Sequence, residues 1–251
     1  MKSSVMVVLA GLSLMLCTMP GMAVNLTLLP NNPVAVGSGT LGIDGDSPAA
    51  WGSGSWEANG STKSQFYFTP QQLFGESNVT IGDLSSISYF TKTSSDLTGA
   101  NPVGDWYVQI YTTPYTGGAA SWYGDRITAE PYQSKGLSVT PNDWTMFQSN
   151  TGTNQLRFYN AVGGYFGSYT DGFLSDLSAN YGSHTIKYIT MGTGSDWAAG
   201  FTGQLDGLNI QLKNGNNANV NFEAVPEPGV LSLISSFGVC GAGLFFKKRK
   251  A

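Results

Sequence analysis

At positions 106–112 the side chains alternate with a period of two. Trp106, Val108 and Ile110 fall on one side of an extended chain, and Tyr107, Gln109 and Tyr111 on the other. Near the C-terminus, Leu208, Ile210 and Leu212 are set against Asn209, Gln211 and Lys213 in the same way. A chain of this pattern is a half-buried antiparallel strand, with one row of side chains in a core and the other on solvent. Comparable runs, rich in β-branched and aromatic residues, occur at 65–68, 87–90, 126–129, 144–147, 156–159, 185–191 and 205–213, punctuated by Gly, Pro, Asn and Ser. Eight or more short strands with no sustained helical period predict an all-β, antiparallel β-sandwich. One short helical turn is expected at 174–180, and no internal repeat is visible.

Composition excludes other classes. Charged residues make up 11% of 251 positions, against about 25% in an average domain, while 33 are Gly and 12% are aromatic. So few charges argue against coiled coils and nucleic-acid binding, and the Lys/Arg residues cluster nowhere except at the extreme C-terminus. A hydrophobic share of 41% argues against global disorder.

Both ends read as processing segments. Met1-Lys2, an apolar stretch at 5–16 and a small-x-small site at Gly21 and Ala23 have the order of a secretory signal, with cleavage expected between Ala23 and Val24. Cys17 invites a lipoprotein reading, but the large Leu16 stands where lipid attachment needs a small residue. At the other end, Val225-Pro226-Glu227-Pro228-Gly229 precedes 17 uncharged residues, 230–246, and then Lys247-Lys248-Arg249-Lys250. Seventeen residues is the short end of a membrane-spanning helix. The basic tail would hold that end in the cytoplasm, giving a single-pass precursor in the inner membrane with its N-terminus outside. The two prolines keep the chain extended just before the span, a form that a peptidase can bind.

This tripartite end resembles the PEP-CTERM sorting signal. The resemblance covers 225–251, with the Pro226-Glu227-Pro228 motif intact and a tail that is Lys-rich where Arg is commoner. It implies recognition by exosortase, a membrane Cys peptidase or transpeptidase of Gram-negative bacteria that make exopolysaccharide. The expected organisation is therefore a signal peptide at 1–23, an exported β-sandwich at 24–224 and a sorting signal at 225–251. The partners it implies are the Sec translocon, signal peptidase, an exosortase-like peptidase and, transiently, the inner membrane. The mature form is expected at the cell surface or in the extracellular matrix.

The two cysteines, Cys17 and Cys240, both lie in the segments expected to be removed. No disulfide, thiol nucleophile or Cys-based metal site is then expected in the mature domain, which must be held by its core. Between 24 and 224 there are 15 acidic and seven basic residues, a net of −8 that disfavours acidic polymers and anionic membranes. The segment from Phe201 to Ile210 resembles the closing strand of concanavalin-A-like jelly rolls, through Gly203-Gln204-Leu205-Asp206-Gly207-Leu208.

Catalytic constellations are scarce. His184 is the only histidine, in a Gly-Ser-His-Thr turn, and reads as a solvated turn residue. A Ser-His-acid triad would need His184, and nothing like Gly-x-Ser-x-Gly occurs; a zinc site would normally need two or more His/Cys ligands where one is available, and no Walker A or dinucleotide motif occurs. Jelly-roll glucanases carry Glu-x-Asp-x-x-Glu, which is absent; the nearest grouping, Asp125 and Glu130, would point to opposite faces of a strand. Asp44-Gly45-Asp46 fails as an EF-hand, since Ala49 and Ser55 occupy the required Gly and Glu positions. Asp44, Asp46 and Asp206 are retained as calcium candidates, and no other cofactor is expected.

Aromatic surface remains. Trp106-Tyr107 and Trp122-Tyr123 must each turn one ring away from the core if they lie on strands. Flat rings stack on sugars, although aromatics also fill sandwich cores. Sequons at Asn25, Asn59 and Asn78 are expected to stay unmodified in a bacterium with this sorting system. The expectation is a non-catalytic binding or structural module of the matrix, in contact with exopolysaccharide; the alternative is a divergent jelly-roll glycoside hydrolase.

Overall fold

The structure, a computed structural model, describes residues 23–28, 42–44, 46–59, 65–94, 96–97, 104–113, 126–159, 172–194 and 202–223. The signal segment before Ala23, the expected span at 230–246, Val225 to Pro228, Lys247 to Lys250, Trp122, Tyr123 and Asp125 lie outside the described residues. No helix among the described residues is long and apolar enough to cross a membrane.

Eleven strands are described: β1 (Ala23–Leu28), β2 (Gly42–Asp44), β3 (Ser55–Asn59), β4 (Gln65–Phe68), β5 (Leu84–Thr93), β6 (Tyr107–Thr112), β7 (Arg126–Ala129), β8 (Thr145–Gln148), β9 (Ile186–Gly192), β10 (Thr202–Leu212) and β11 (Asn217–Phe222). They form two sheets, so the chain is an all-β sandwich. The smaller sheet runs β4-β9-β6-β7, antiparallel throughout. In the larger sheet, β10 is the spine. β5 pairs along one side of it and carries β8 outside. On the other side β10 pairs first with β3, through 202–205, and then with β11, through 208–211. β3 and β11 therefore lie end to end, flanked by β2 and β1. β1 joins β11 in parallel, while the other pairings between the described strands are antiparallel.

The core between the sheets is aromatic. Trp56 lies 4.3 Å from Phe66 and 4.7 Å from Phe222, and Phe66 stacks 6.2 Å from Trp106, so one chain of rings joins both sheets. All four are fully buried. The 106–112 alternation is borne out: Trp106, Val108 and Ile110 enter the core, while Gln109 and Tyr111 bond on the opposite face.

The β10 alternation changes phase at Gly207. Its φ of 64° and the register shift between Asp206 and Asn209 mark a bulge, so Leu205 and Leu208 both point inward although three positions apart. A Cβ at Gly207 would lie 2.9 Å from both Trp51 and Phe90, so glycine is required by space as well as by conformation.

Two short helices join the strands. α1 (Pro70–Phe74) is set by Thr69, whose hydroxyl caps the Gln72 N–H while Gln72 returns a bond to the Thr69 N–H. α2 (Leu174–Tyr181) corresponds to the expected turn at 174–180 and buries Leu174 and Leu177. The 156–159 run differs from expectation: it makes isolated bridges, Tyr159 to Thr128 and Phe158 to Gly172. β11 is an Asn-rich strand that strand propensity does not favour. Ala218, Val220 and Phe222 fill its core side, and Asn219 bonds Asn25 and Asn209 on the other.

Candidate functional site

The outer face of the smaller sheet gathers aromatic and amide side chains in register. One row crosses it from Tyr67 on β4 through Thr190 on β9 and Gln109 on β6 to Thr128 on β7. Backbone bonds of 2.8 Å in both directions between Thr128 and Tyr159 extend that row by one residue. The next row is Tyr188, Tyr111 and Arg126. Both follow from period-two alternation, because the partners of Val108 and Ile110 face the core.

Side chains link these rows. The Tyr67 hydroxyl donates to Gln65 Oε1 at 2.8 Å. Gln65 Nε2 donates to Gln109 Oε1, to the Tyr111 hydroxyl at 2.9 Å and to Thr190 Oγ1 at 3.3 Å. The Tyr111 hydroxyl donates to Gln109 Oε1 at 2.9 Å, and Gln109 Nε2 donates to Thr128 Oγ1 at 3.0 Å. Gln109, Tyr111, Thr128 and Thr190 are buried in the middle of this face, while Tyr67, Tyr107 and Tyr188 around them are half-buried. The Tyr67 ring lies 5.8 Å from Tyr111 and 5.5 Å edge-on to Tyr188, and Lys187 Nζ sits 5.7 Å from the Tyr188 ring. A fully bonded centre fixes the rotamers of the surrounding rings.

At the β7 end, the Tyr159 hydroxyl donates to Glu130 Oε2 at 2.6 Å. Burial, with the Glu130 carboxylate second, pushes the Tyr159 hydroxyl well above its ordinary range. Burial raises Tyr132 likewise, although Gln133 Nε2 donates to its hydroxyl at 2.9 Å and opposes the shift. These groups are neutral donors and acceptors at ordinary pH. Their arrangement suits a neutral polyhydroxylated ligand, with rings for apolar sugar faces and amides and hydroxyls for hydroxyl groups.

The other candidates are dispersed. Tyr107 is the outward member of its pair, with its hydroxyl donating to the Thr193 carbonyl at 3.3 Å. His184 is half-buried in the turn after α2, its N–H donating to the Tyr181 carbonyl at 3.0 Å and its carbonyl accepting from Ile81. Of the sequon residues, Asn59 and Asn78 are exposed and Asn25 is bonded to Asn219.

The three calcium candidates separate by environment. Asp46 Oδ2 accepts from Lys92 Nζ at 2.6 Å and from Trp144 Nε1 at 3.2 Å. The Lys92 bond holds the Asp46 carboxyl below its usual range. Asp44 ends β2 opposite Ser55. Asp206 is fully buried and lies near Glu223, a residue that the sequence reading did not single out. Among the described residues, no three His, Cys, Asp or Glu side chains converge in a metal-binding arrangement. The Gln65–Gln109–Tyr111 network was also missed, since its members are 44 and 46 positions apart and meet only through the register of β4, β9 and β6.

No family model, curated protein or solved structure matches this chain.

Proposed function

We propose that the chain is an exported, exosortase-processed protein of the cell envelope or extracellular matrix, whose jelly-roll-type sandwich is a non-catalytic module contacting exopolysaccharide. The observation that carries the glycan reading is the outer face of the smaller sheet, where Tyr67, Tyr107 and Tyr188 surround the bonded Gln65, Gln109 and Tyr111. Aromatic rings held by a network beneath them bind sugars at low entropic cost, because few rotamers are left to freeze.

The trafficking part rests on the termini. The signal-like segment ends where β1 begins, at Ala23, and the sorting motif starts two residues after Glu223, the last residue described. In this reading, 230–246 halts transfer, Pro226-Glu227-Pro228 is recognised, and Lys247 to Lys250 leave with the tail. Intact-mass measurement on the surface form from the native host tests this: the basic tail is absent if the reading holds, and its retention replaces processing with a simple anchor.

The glycan part is tested by calorimetric titration of the segment 24–224 with the producing organism's purified exopolysaccharide, with polymer length followed in parallel. Saturable heat without shortening supports the binding module. Shortening would favour the glycosidase, a reading the geometry supports less well: Asp206 and Glu223 do form a carboxylate pair, but both are fully buried away from any polymer.

A further inference from the structure

Where β3 and β11 meet end to end beside β10, the register gathers residues whose enclosed side-chain oxygens lack hydrogen-bond partners. Asp206 precedes the Gly207 bulge, and its Oδ1 accepts from the Gly207 N–H at 2.7 Å and the Phe222 N–H at 2.9 Å. Its Oδ2 is buried and has no hydrogen-bond partner. Glu223 repeats the arrangement: Oε1 accepts from the Ser53 N–H at 3.1 Å and Asn221 Nδ2 at 3.3 Å, and Oε2 is buried without a partner. Ser55 Oγ and Asn221 Oδ1 are likewise enclosed and unpartnered. Asp206, Glu223 and Ser55 are fully buried.

Each carboxylate is thus oriented by N–H donors on one oxygen and left bare on the other. Burial, opposed by the Phe222 and Gly207 bonds and reinforced by the Glu223 charge, pushes the Asp206 carboxyl up to about 7. Among the described residues no salt bridge reaches the pair, and Lys92, opposite Gln204 on β5, is bonded to Asp46. Two enclosed like charges with bare oxygens are costly unless a positive charge sits between them.

We propose that this seam is a calcium site, with Asp206 Oδ2 and Glu223 Oε2 as its charged ligands and Asn221 Oδ1 and Ser55 Oγ as neutral ones. The donors are all hard oxygens, which selects an alkaline-earth ion over zinc or copper. Two carboxylates balance a divalent charge. Mixed carboxylate, amide and hydroxyl ligands from four chain positions suit the irregular shell of calcium better than the strict octahedron of magnesium. Asp44 pairs with Ser55 on β2, which places its backbone at the same seam. The site does not depend on the glycan reading, since it lies on the larger sheet and requires no polymer.

The test uses the full chain, stripped with chelator and titrated with calcium alone by calorimetry, with magnesium as comparison. Terbium emission sensitised by Trp51, which lies against Gly207, reports the same site without mutation. Expected are one calcium per chain, preference over magnesium, and about a hundredfold shift of the folding equilibrium toward the native state at calcium a hundredfold above its Kd. Asp206→Asn and Glu223→Gln should each abolish the heat and the emission. Absence of both signals in the native chain overturns the proposal, as does full binding by either variant. Should the variants fail to fold, the native calorimetry and terbium titrations still decide.

Discussion

The Trp106 indole donates from Nε1 to the Gly203 carbonyl across 2.9 Å, a bond between the two sheets inside the core. Trp106 stands just before β6, and Gly203 lies on β10 beside β3 and β5. Trp106 therefore fixes the lateral position of the two sheets through a directional bond, while its stack on Phe66 of β4 packs it within the smaller sheet. Trp106→Phe keeps part of the stack and loses the donor. It should cost about 1–3 kcal/mol, read as a lower midpoint in chemical denaturation with an unchanged slope.

Gly207→Ala should be worse than an ordinary loop substitution. The left-handed conformation alone costs about 1–2 kcal/mol, and the new methyl would meet Trp51 and Phe90. Combining it with Trp51→Ala removes part of the clash. The double variant should then be more stable than the sum of the two losses, by about 0.5–3 kcal/mol in a thermal double-mutant cycle.

Asp105 gives a pH dependence of defined sign. Burial pushes its carboxyl up to about 7, against hydrogen bonds from the Thr91 hydroxyl at 2.6 Å and the Trp106 N–H at 2.7 Å. An acid whose pKa is higher in the folded state than in the unfolded state binds more protons when folded, so stability falls as pH rises from about 4 to about 7 and then levels. Asp206 has the same sign in chelator, and Asp46, whose carboxyl is lowered, contributes stability that is lost only as pH falls through the ordinary carboxylate range, below the two pH values compared. Unfolding midpoints in chelator should therefore be higher at pH 5.5 than at pH 7.5, and Asp105→Asn should reduce the difference.

On the face proposed to contact glycan, Tyr67→Ala and Tyr188→Ala should each weaken binding about 2- to 10-fold, the range for loss of one aromatic contact. Tyr67→Phe separates ring from hydroxyl. It keeps the stacking surface and loses the hydroxyl's bond to Gln65, so its affinity should stay within about twofold of the parent in the same titration.

Alternation made much of the sandwich legible in advance. β4 and β7 match their predicted runs at both ends, and β6 and β9 begin one residue late. β11 escaped because Asn217, Asn219 and Asn221 mask its alternation, and asparagine is poor in strands until a neighbouring asparagine bonds it. β3, Ser55–Asn59, alternates but escaped because Glu, Ala and Asn around Trp56 are poor strand formers. The tyrosine face was half visible: the outward set on β6 could be read from sequence, whereas Gln65 joins it only through pairing. Glu223 gave no local signal, since its relation to Asp206 arises from a strand seam and a bulge.

The parallel pairing of β1 with β11 carries a consequence in time. Ala23 sits opposite Asn217 and Leu28 opposite Phe222, and β11 is the only strand that β1 pairs with among the described residues. Almost the whole domain is synthesised between them, so the first strand made must wait for the last before it can be hydrogen-bonded. Closing so long a loop adds little entropy per extra residue but makes completion late. Until then β1 and the 208–211 edge of β10 stay open, the usual route to intermolecular pairing. Chains interrupted before Asn217 should accordingly leave their N-terminal segment free to proteases, and the sandwich is sealed only by the last strand described.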